Sequence, residues 1–309
     1  MVVNDTLHAA SQGGRDALTD KYNINIERLL GSGADGGVVR GVDRVTGEWH
    51  ALKYISSSAH SGELEIEILR GLQHPNIINM LAVYAPEGSR RHTVIAVQEA
   101  DFTLSDYLQR SIGRSRLTAT VQKDLASQLL CGMLCVREHN VVHRDIKPCN
   151  ILLSHIAPDE SSITAGASCL RLMLADFSRA RSLPKRRRTS VKAARSALYF
   201  GREMSANVTT PNYCAPEIIF FTVRGADESE TTEMYGTEVD VWGFGAVFFE
   251  MLTLERLVPD GSTAESRAAS LICRLGHGEQ ASFSGHRSKQ QLADLAGRLE
   301  LKSVGGFWP

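Results

Sequence analysis

Between Val141 and Leu153 the chain reads VVHRDIKPCNILL, which sets His143, Arg144, Asp145, Lys147 and Asn150 between two apolar runs. So many polar groups between apolar flanks cost folding free energy unless they pair with one another or bind charge. A second carboxylate, Asp176, ends the apolar run LRLMLAD and is followed by Phe177 and Ser178. It is either a metal ligand with a regulatory basic loop behind it, or the polar end of a strand before a solvated loop. Near the front, GSGADGGV over Gly31–Val38 fits the spacing G-x-G-x-x-G-x-V. Glycines there would let backbone approach phosphates, although a glycine-rich hairpin turn gives the same spelling. Fifteen residues after Val38, Lys53 stands inside the apolar HALKY, where it either snorkels to the surface or meets an acid such as Glu65 or Glu67.

These groups need elements to hold them. YNINIERLL alternates, and VVRGVDRVTGEWHALKYI is Val-rich around a Thr-Gly turn, so an antiparallel, twisted start is predicted from Tyr22. A dinucleotide-binding turn would need a helix at the third glycine, and VVRGVDRV reads as strand. Leu64, Ile68 and Leu72 recur every four residues, as do Val121, Leu125, Leu129 and Met133, and both patterns predict amphipathic helices. HTVIAVQEA, NILLS and LRLMLADF predict strands, TLSDYLQR a short helix, and EVDVWGFGAVFFEML a helix apolar nearly all round and so buried in the core. A β-rich front followed by a helix-rich back predicts an α+β chain of two lobes. The expected division is a polar tail over 1–21, a first lobe over 22–100 and a second over 101–309, abbreviated at its end.

The chain has 309 residues, 43% hydrophobic and 22% charged, with a formal net charge of −1, so no global field favours nucleic acid or an anionic membrane. Apolar runs fall short of a membrane span, and the first residues lack both a signal-peptide pattern and a Met-Gly start. The six cysteines show no zinc-type spacing, and Cys131 and Cys135, four apart in a helical pattern, are expected to be buried thiols. A reducing, intracellular setting is expected, cytoplasmic or nuclear.

The pattern H-R-D-x-K-P-x-N, together with the glycine turn, Lys53 and the Asp-Phe, resembles a eukaryotic protein kinase over roughly residues 22–275. TTPNYCAPEI with its Ala215-Pro216-Glu217 and DVWGFGAVFFEM agree. Lys147 and Thr210 resemble the serine/threonine type, and LVPDGSTAESRAASLICRLG is similar in layout to the cyclin-dependent and MAP kinase branch. The resemblance implies a bilobal fold and transfer of the γ-phosphoryl group of Mg·ATP to protein Ser/Thr hydroxyls. It places Gly31, Ser32, Gly33, Ala34, Asp35, Gly36, Gly37, Val38, Val39, Ala51 and Leu152 around ATP. By the same resemblance Lys53 holds the α/β-phosphates, with Glu65 as its ion-pair partner. Glu67, about 200° further round the helix, is then solvated. Asp145 orients the acceptor hydroxyl, Lys147 neutralises the γ-phosphoryl group, Asn150 and Asp176 hold Mg²⁺, and Asp240 binds the catalytic-loop backbone.

Four departures leave a second reading open, a weak or inactive pseudokinase acting as a scaffold. Ser178 replaces the glycine of Asp-Phe-Gly, Asp35 puts a negative charge at the tip of the glycine turn, and Asn212 and Cys214 stand where that branch has Trp and Arg. The end of the chain lacks a recognisable Arg partner for Glu217. The segment from Asp176 to Glu217 is long, with eight Lys or Arg and no acid between Arg179 and Arg195. That run is either a solvated loop or a regulatory one, with Thr189, Ser190 and Ser205 as candidate phosphosites for an upstream kinase, or else an import signal or acidic-partner dock. Protein substrates are the expected partners, without nucleic acid or membrane, and a cyclin-type partner does not follow from SSSAHSG ahead of Glu65.

Overall fold

The structure, a computed structural model, describes residues 17–33, 36–56, 60–84, 92–111, 117–156, 169–183, 210–216, 218 and 236–258. Ala34, Asp35, Thr189, Ser190, Ser205, Glu217, most of the insert between 156 and 169, and the C-terminal stretch from 259 lie outside them.

A short helix α1 (Ala17–Lys21) leads into strands β1 (Tyr22–Gly33), β2 (Gly36–Asp43) and β3 (Trp49–Ser56). Helix α2 (His60–Gly71) follows, then β4 (Met80–Tyr84) and β5 (His92–Gln98). These five strands form one antiparallel sheet in the order β1-β2-β3-β5-β4. Alternation splits it into two faces. Tyr22, Val39, Leu52, Tyr54, Val94 and Ala96 form an apolar cluster on one face, capped by Leu18 of α1. The opposite face carries Val38, Ala51, Lys53 and Ile95 and looks toward the rest of the chain.

Structure therefore begins earlier than the predicted Tyr22. Five residues with one apolar side chain show no period, but burial of Leu18 against Tyr22 and the ion pair from Lys21 to Asp43 hold the turn in place. Asp43 caps the β2–β3 turn, accepting from the backbone N–H of Val45 and Thr46, and Gly47 supplies the positive φ of 74°.

The second lobe starts with β6 (Phe102–Thr103) and α3 (Leu104–Ser111), then the long α4 (Ala119–Glu138), whose N-terminus is capped by Thr118 accepting from Val121 N–H. Strands β7 (Val141–Val142), β8 (Ile151–His155) and β9 (Leu170–Leu174) bracket the polar loop, β10 (Arg181–Ser182) pairs with β7, and α5 (Glu238–Thr253) closes the described part. One core joins α2, α4, β8, β9 and α5 around Leu125, Leu129, Ile151, Leu172, Phe177 and Met251.

Two expectations about burial need correction. Cys135 is buried as expected, but Cys131 is exposed, because it lies off the Val121–Leu125–Leu129 stripe. Helix α5 buries Val239, Ala246, Val247 and Met251, yet Val241 and Leu252 are exposed, so its apolar surface is not all core.

The glycine turn separates into two kinds of glycine. A Cβ on Gly31 would meet nothing within 4 Å, whereas Gly36 has φ 149° and a Cβ there would overlap the Tyr54 carbonyl on the neighbouring strand β3. Gly36 is thus required by sheet packing itself. Gly36→Ala is expected to lower stability by about 2–4 kcal/mol, from backbone strain and overlap together. A thermal melt of the variant matching the native one would contradict this.

Candidate active site

The site forms where the inner face of the sheet meets the loop after β7. Lys53, paired in register with Val38 and Ile95, extends from β3 toward α2. Its Nζ donates to Glu65 Oε1 at 2.7 Å and Oε2 at 2.9 Å, and to Asp176 Oδ1 at 2.8 Å. Glu65 is buried and Glu67 is exposed, as expected from the resemblance and the roughly 200° between them. Burial opposes the Lys53 charge, but Glu65 and Asp176 outweigh it and raise the ammonium above its usual range. Burial likewise opposes ionisation of Asp176, yet the Lys53 ammonium and hydrogen bonds from Lys53 and Ser178 hold its carboxyl well below the ordinary value. The three groups form a continuous relay of charge from α2 through β3 to the start of the Phe177–Arg179 turn.

Opposite this relay, the polar loop is held from below by Asp240 of α5. Its two oxygens accept from the backbone N–H of His143 and Arg144, each at 2.8 Å. Burial pushes the Asp240 carboxyl upward, opposed by His143 and by those two backbone donors. The fully buried His143 ring reaches the Ala175 carbonyl at 3.0 Å and meets Phe177 edge-on at 4.7 Å between centroids. His143 is therefore the wedge that joins the loop to the Asp176 turn. Arg144 has φ 68° and Asp176 φ 61°, left-handed conformations rare outside glycine. Both lie at this junction, which fits strain stored at a functional site.

Asp145 is the hub of the loop. Lys147 Nζ donates to its Oδ2 at 2.8 Å, Asn150 Nδ2 to the same oxygen at 3.1 Å, and the Thr210 hydroxyl to Oδ1 at 2.9 Å. Lys147 also donates to the Thr210 hydroxyl at 2.7 Å, so the segment before Ala215-Pro216 is bonded directly to the loop. Thr210 was legible only as a marker of serine/threonine type; here it touches the candidate base. Sequence reasoning also counted Arg179 merely as part of the basic run. The structure brings its Nε within 3.8 Å of Asp145 Oδ2, and its carbonyl accepts from Arg144 Nε at 2.6 Å.

The donor set suits a hard divalent cation. Asn150 spends its amide N–H groups on the Asp145 carbonyl, at 2.8 Å, and on the Asp145 carboxylate, so its amide oxygen is the atom that could ligate a cation. With the partly exposed Asp176 carboxylate this gives one charged and one neutral oxygen, which fits Mg²⁺ completed by phosphate and water oxygens.

Of the remaining predicted nucleotide residues, Gly36, Gly37, Val38 and Val39 lie on β2, Ala51 on β3 and Leu152 on β8, paired with Thr103 and Met173. Val39 faces the outer apolar cluster, away from Lys53. Its side chain therefore does not line the side of the sheet that carries Lys53, because strand alternation turns it away. Gly31, Ser32 and Gly33 end β1 opposite Val38, Gly37 and Gly36. Among the described residues no helix is long and apolar enough to cross a membrane, and no cluster of three His, Cys, Asp or Glu could hold a metal alone.

Comparison with known proteins agrees with this geometry. Residues 24–298 match the protein kinase domain. A meiosis-specific serine/threonine-protein kinase of Schizosaccharomyces pombe is 30% identical over 239 residues, 76% of this chain and 47% of that protein. A probable cell division protein kinase of Encephalitozoon cuniculi is 30% identical, covering 80% of this chain and 78% of its own length. Cyclin-dependent kinase 15 of Mus musculus is 31% identical over 76% of this chain and 46% of its own length. The chain spans about half the length, or less, of several of the curated relatives it matches. With its bilobal α+β fold and its serine/threonine kinase relatives, two of the three from the cell-division and cyclin-dependent group, the chain belongs to the eukaryotic protein kinase family.

Proposed function

We propose that the protein transfers the γ-phosphoryl group of Mg·ATP to Ser or Thr hydroxyls of protein substrates. The observation that carries the proposal is the unbroken relay Glu65–Lys53–Asp176 beside the linked Asp145–Lys147–Thr210 cluster. Phosphoryl transfer needs little covalent help from protein, so intact charges in position are the main requirement. Lys53, held by Glu65, fixes the α/β-phosphates, and Asn150 and Asp176 hold Mg²⁺. A divalent cation held there would supply positive charge to offset that of the phosphates. Asp145 accepts or orients the proton of the acceptor hydroxyl. Lys147 sits between Asp145 and Thr210, where it neutralises the γ-phosphoryl oxygens while Thr210 registers the polypeptide acceptor beside it.

Ser178, the chief departure, is compatible with this role. It is buried, and its side chain hydrogen-bonds Asp176, steadying the carboxylate that Lys53 also holds. The 1–21, 22–100 and 101–309 division, an intracellular setting, and control by an upstream kinase at Ser205, Ser190 or Thr189 belong to the same proposal. The test is γ-phosphate transfer to a mixed peptide array by purified wild type and Asp145→Asn. We expect the variant to lose about 10²- to 10³-fold in rate, since it removes the acceptor's only carboxylate partner in the loop. Wild type transferring no faster than the variant, while still binding Mg·ATP, would favour the scaffold reading instead.

A further inference from the structure

The outer part of the cleft carries a side-chain pair that no sequence motif contains. On the cleft face of β2, Arg40 lies opposite Ala51, two residues beyond Val38 and its partner Lys53. Its guanidinium grips Glu99 as a fork, with Nε to Oε2 at 2.8 Å and a terminal nitrogen to Oε1 at 2.7 Å. The same guanidinium lies 3.9 Å above the centre of the Trp49 ring. Glu99 follows the last residue of β5, in the short segment that runs into β6 and the second lobe.

Two facts separate this pair from an ordinary surface ion pair, whose worth is small. Its side chains are only 21% and 14% exposed, and the geometry is the two-bond planar fork, stacked on an aromatic face, for which Arg is best suited. Its position matters more. In the sheet order β1-β2-β3-β5-β4, strand β3 separates β2 from β5, so no backbone ladder ties the glycine-turn strand to the interlobe segment. Arg40 reaches across β3, passing beside Ala51, to make that tie.

We infer that Arg40 and Glu99 are positioning residues for the nucleotide: they clamp the roof strand to the interlobe segment and form the outer wall of the base site beneath Ala51. This rests on the proposed nucleotide site. The charges cancel within the pair, so the wall presents a neutral, rigid edge to an aromatic base, and the strand bearing Val38 and the glycine turn is held at one height above Leu152.

The test compares wild type with Arg40→Gln, Glu99→Gln, the double variant and Arg40→Lys. The readouts are Mg·ATP affinity by a fluorescent ATP analogue and its competition, and hydrogen exchange of the amides over 36–43. Each single Gln variant is expected to weaken ATP binding by about fivefold or more, with the double variant no worse than the weaker single, since both lesions break one unit. Exchange over 36–43 should quicken by a similar factor in all three. Arg40→Lys keeps the charge and loses the fork, so it should fall between wild type and Arg40→Gln and cover the case in which a Gln variant fails to fold. Binding within about twofold of wild type in both folded singles overturns the positioning role, even if exchange quickens. Unchanged exchange overturns the clamp. Wild type that binds no Mg·ATP at all defeats the proposed function, and the exchange measurement still decides the clamp.

Discussion

Lys53→Met should reduce the single-turnover rate of phosphoryl transfer by about 10²- to 10³-fold, the usual cost of removing one preorganised charge from a transferring phosphate. The substitution keeps length and apolar stem but removes the ammonium that bonds both Glu65 oxygens and Asp176 Oδ1. The buried Glu65 carboxylate and Asp176 are then left without the cation that joins them. Asp176 loses its main source of acidity and its fixed rotamer, so affinity for the metal nucleotide should fall together with the rate. Glu65→Gln is the milder companion. It keeps Lys53 and Asp176 paired, and a loss of about tenfold is expected. Rates for Lys53→Met within tenfold of wild type would remove the relay from the mechanism.

The second large effect is structural in origin. Asp240→Ala should cost about 2–5 kcal/mol of stability, because the backbone N–H groups of His143 and Arg144 lose both acceptors inside the protein. For a chain of 309 residues that corresponds to a fall in melting temperature of roughly 3–8 °C. Activity should be lost disproportionately, since the same bonds set the left-handed turn at Arg144 that presents Asp145. Asp240→Asn retains one acceptor and should fall between. A folded Asp240→Ala protein with native melting and native rate would show that the loop holds its own shape. The burial that pushes the Asp240 carboxyl upward does not alter the expectation, because an uncharged oxygen still accepts from backbone.

What the sequence made legible was local. His143 through Asn150 sit within one short loop, so their types and spacing already constrain their mutual geometry, and the structure brings Asp145, Lys147 and Asn150 into direct contact. The choice of Glu65 over Glu67 came from the family resemblance, helical spacing then turning Glu67 away, and burial agrees with it. Contacts set by long-range register left no such trace. Arg40 and Glu99 are 59 residues apart and meet only because β3 lies between their strands with a particular pairing. Arg179 looked like one more charge in a basic run, and its approach to Asp145 depends on the turn after Asp176. Helix α1 was missed because a single apolar residue, Leu18, sets its place, and one residue has no period. Cys131 was misplaced although the stripe through Leu125 and Leu129 already pointed to the other side of its helix.

The segment just after α2 has a consequence for how the site can be switched. Asn76 donates from Nδ2 to the Leu172 carbonyl at 2.9 Å, and its own carbonyl accepts from Leu174 N–H at 2.9 Å. Ile78 N–H returns to the Leu174 carbonyl, and the backbone at Gly132 of α4 leaves no room for a Cβ against the Asn76 carbonyl. The C-terminal end of α2 is therefore riveted to the strand that delivers Asp176, while Glu65 stands about 10 Å back along the helix. A helix fixed at that end turns about it as a lever turns about its fulcrum. A tilt of about 20° about that rivet carries Glu65 some 3 Å, enough to part it from Lys53 while the helix stays whole and the core beneath the rivet stays packed. Any tilt of α2 about that rivet is thus geared into the presence or absence of one ion pair.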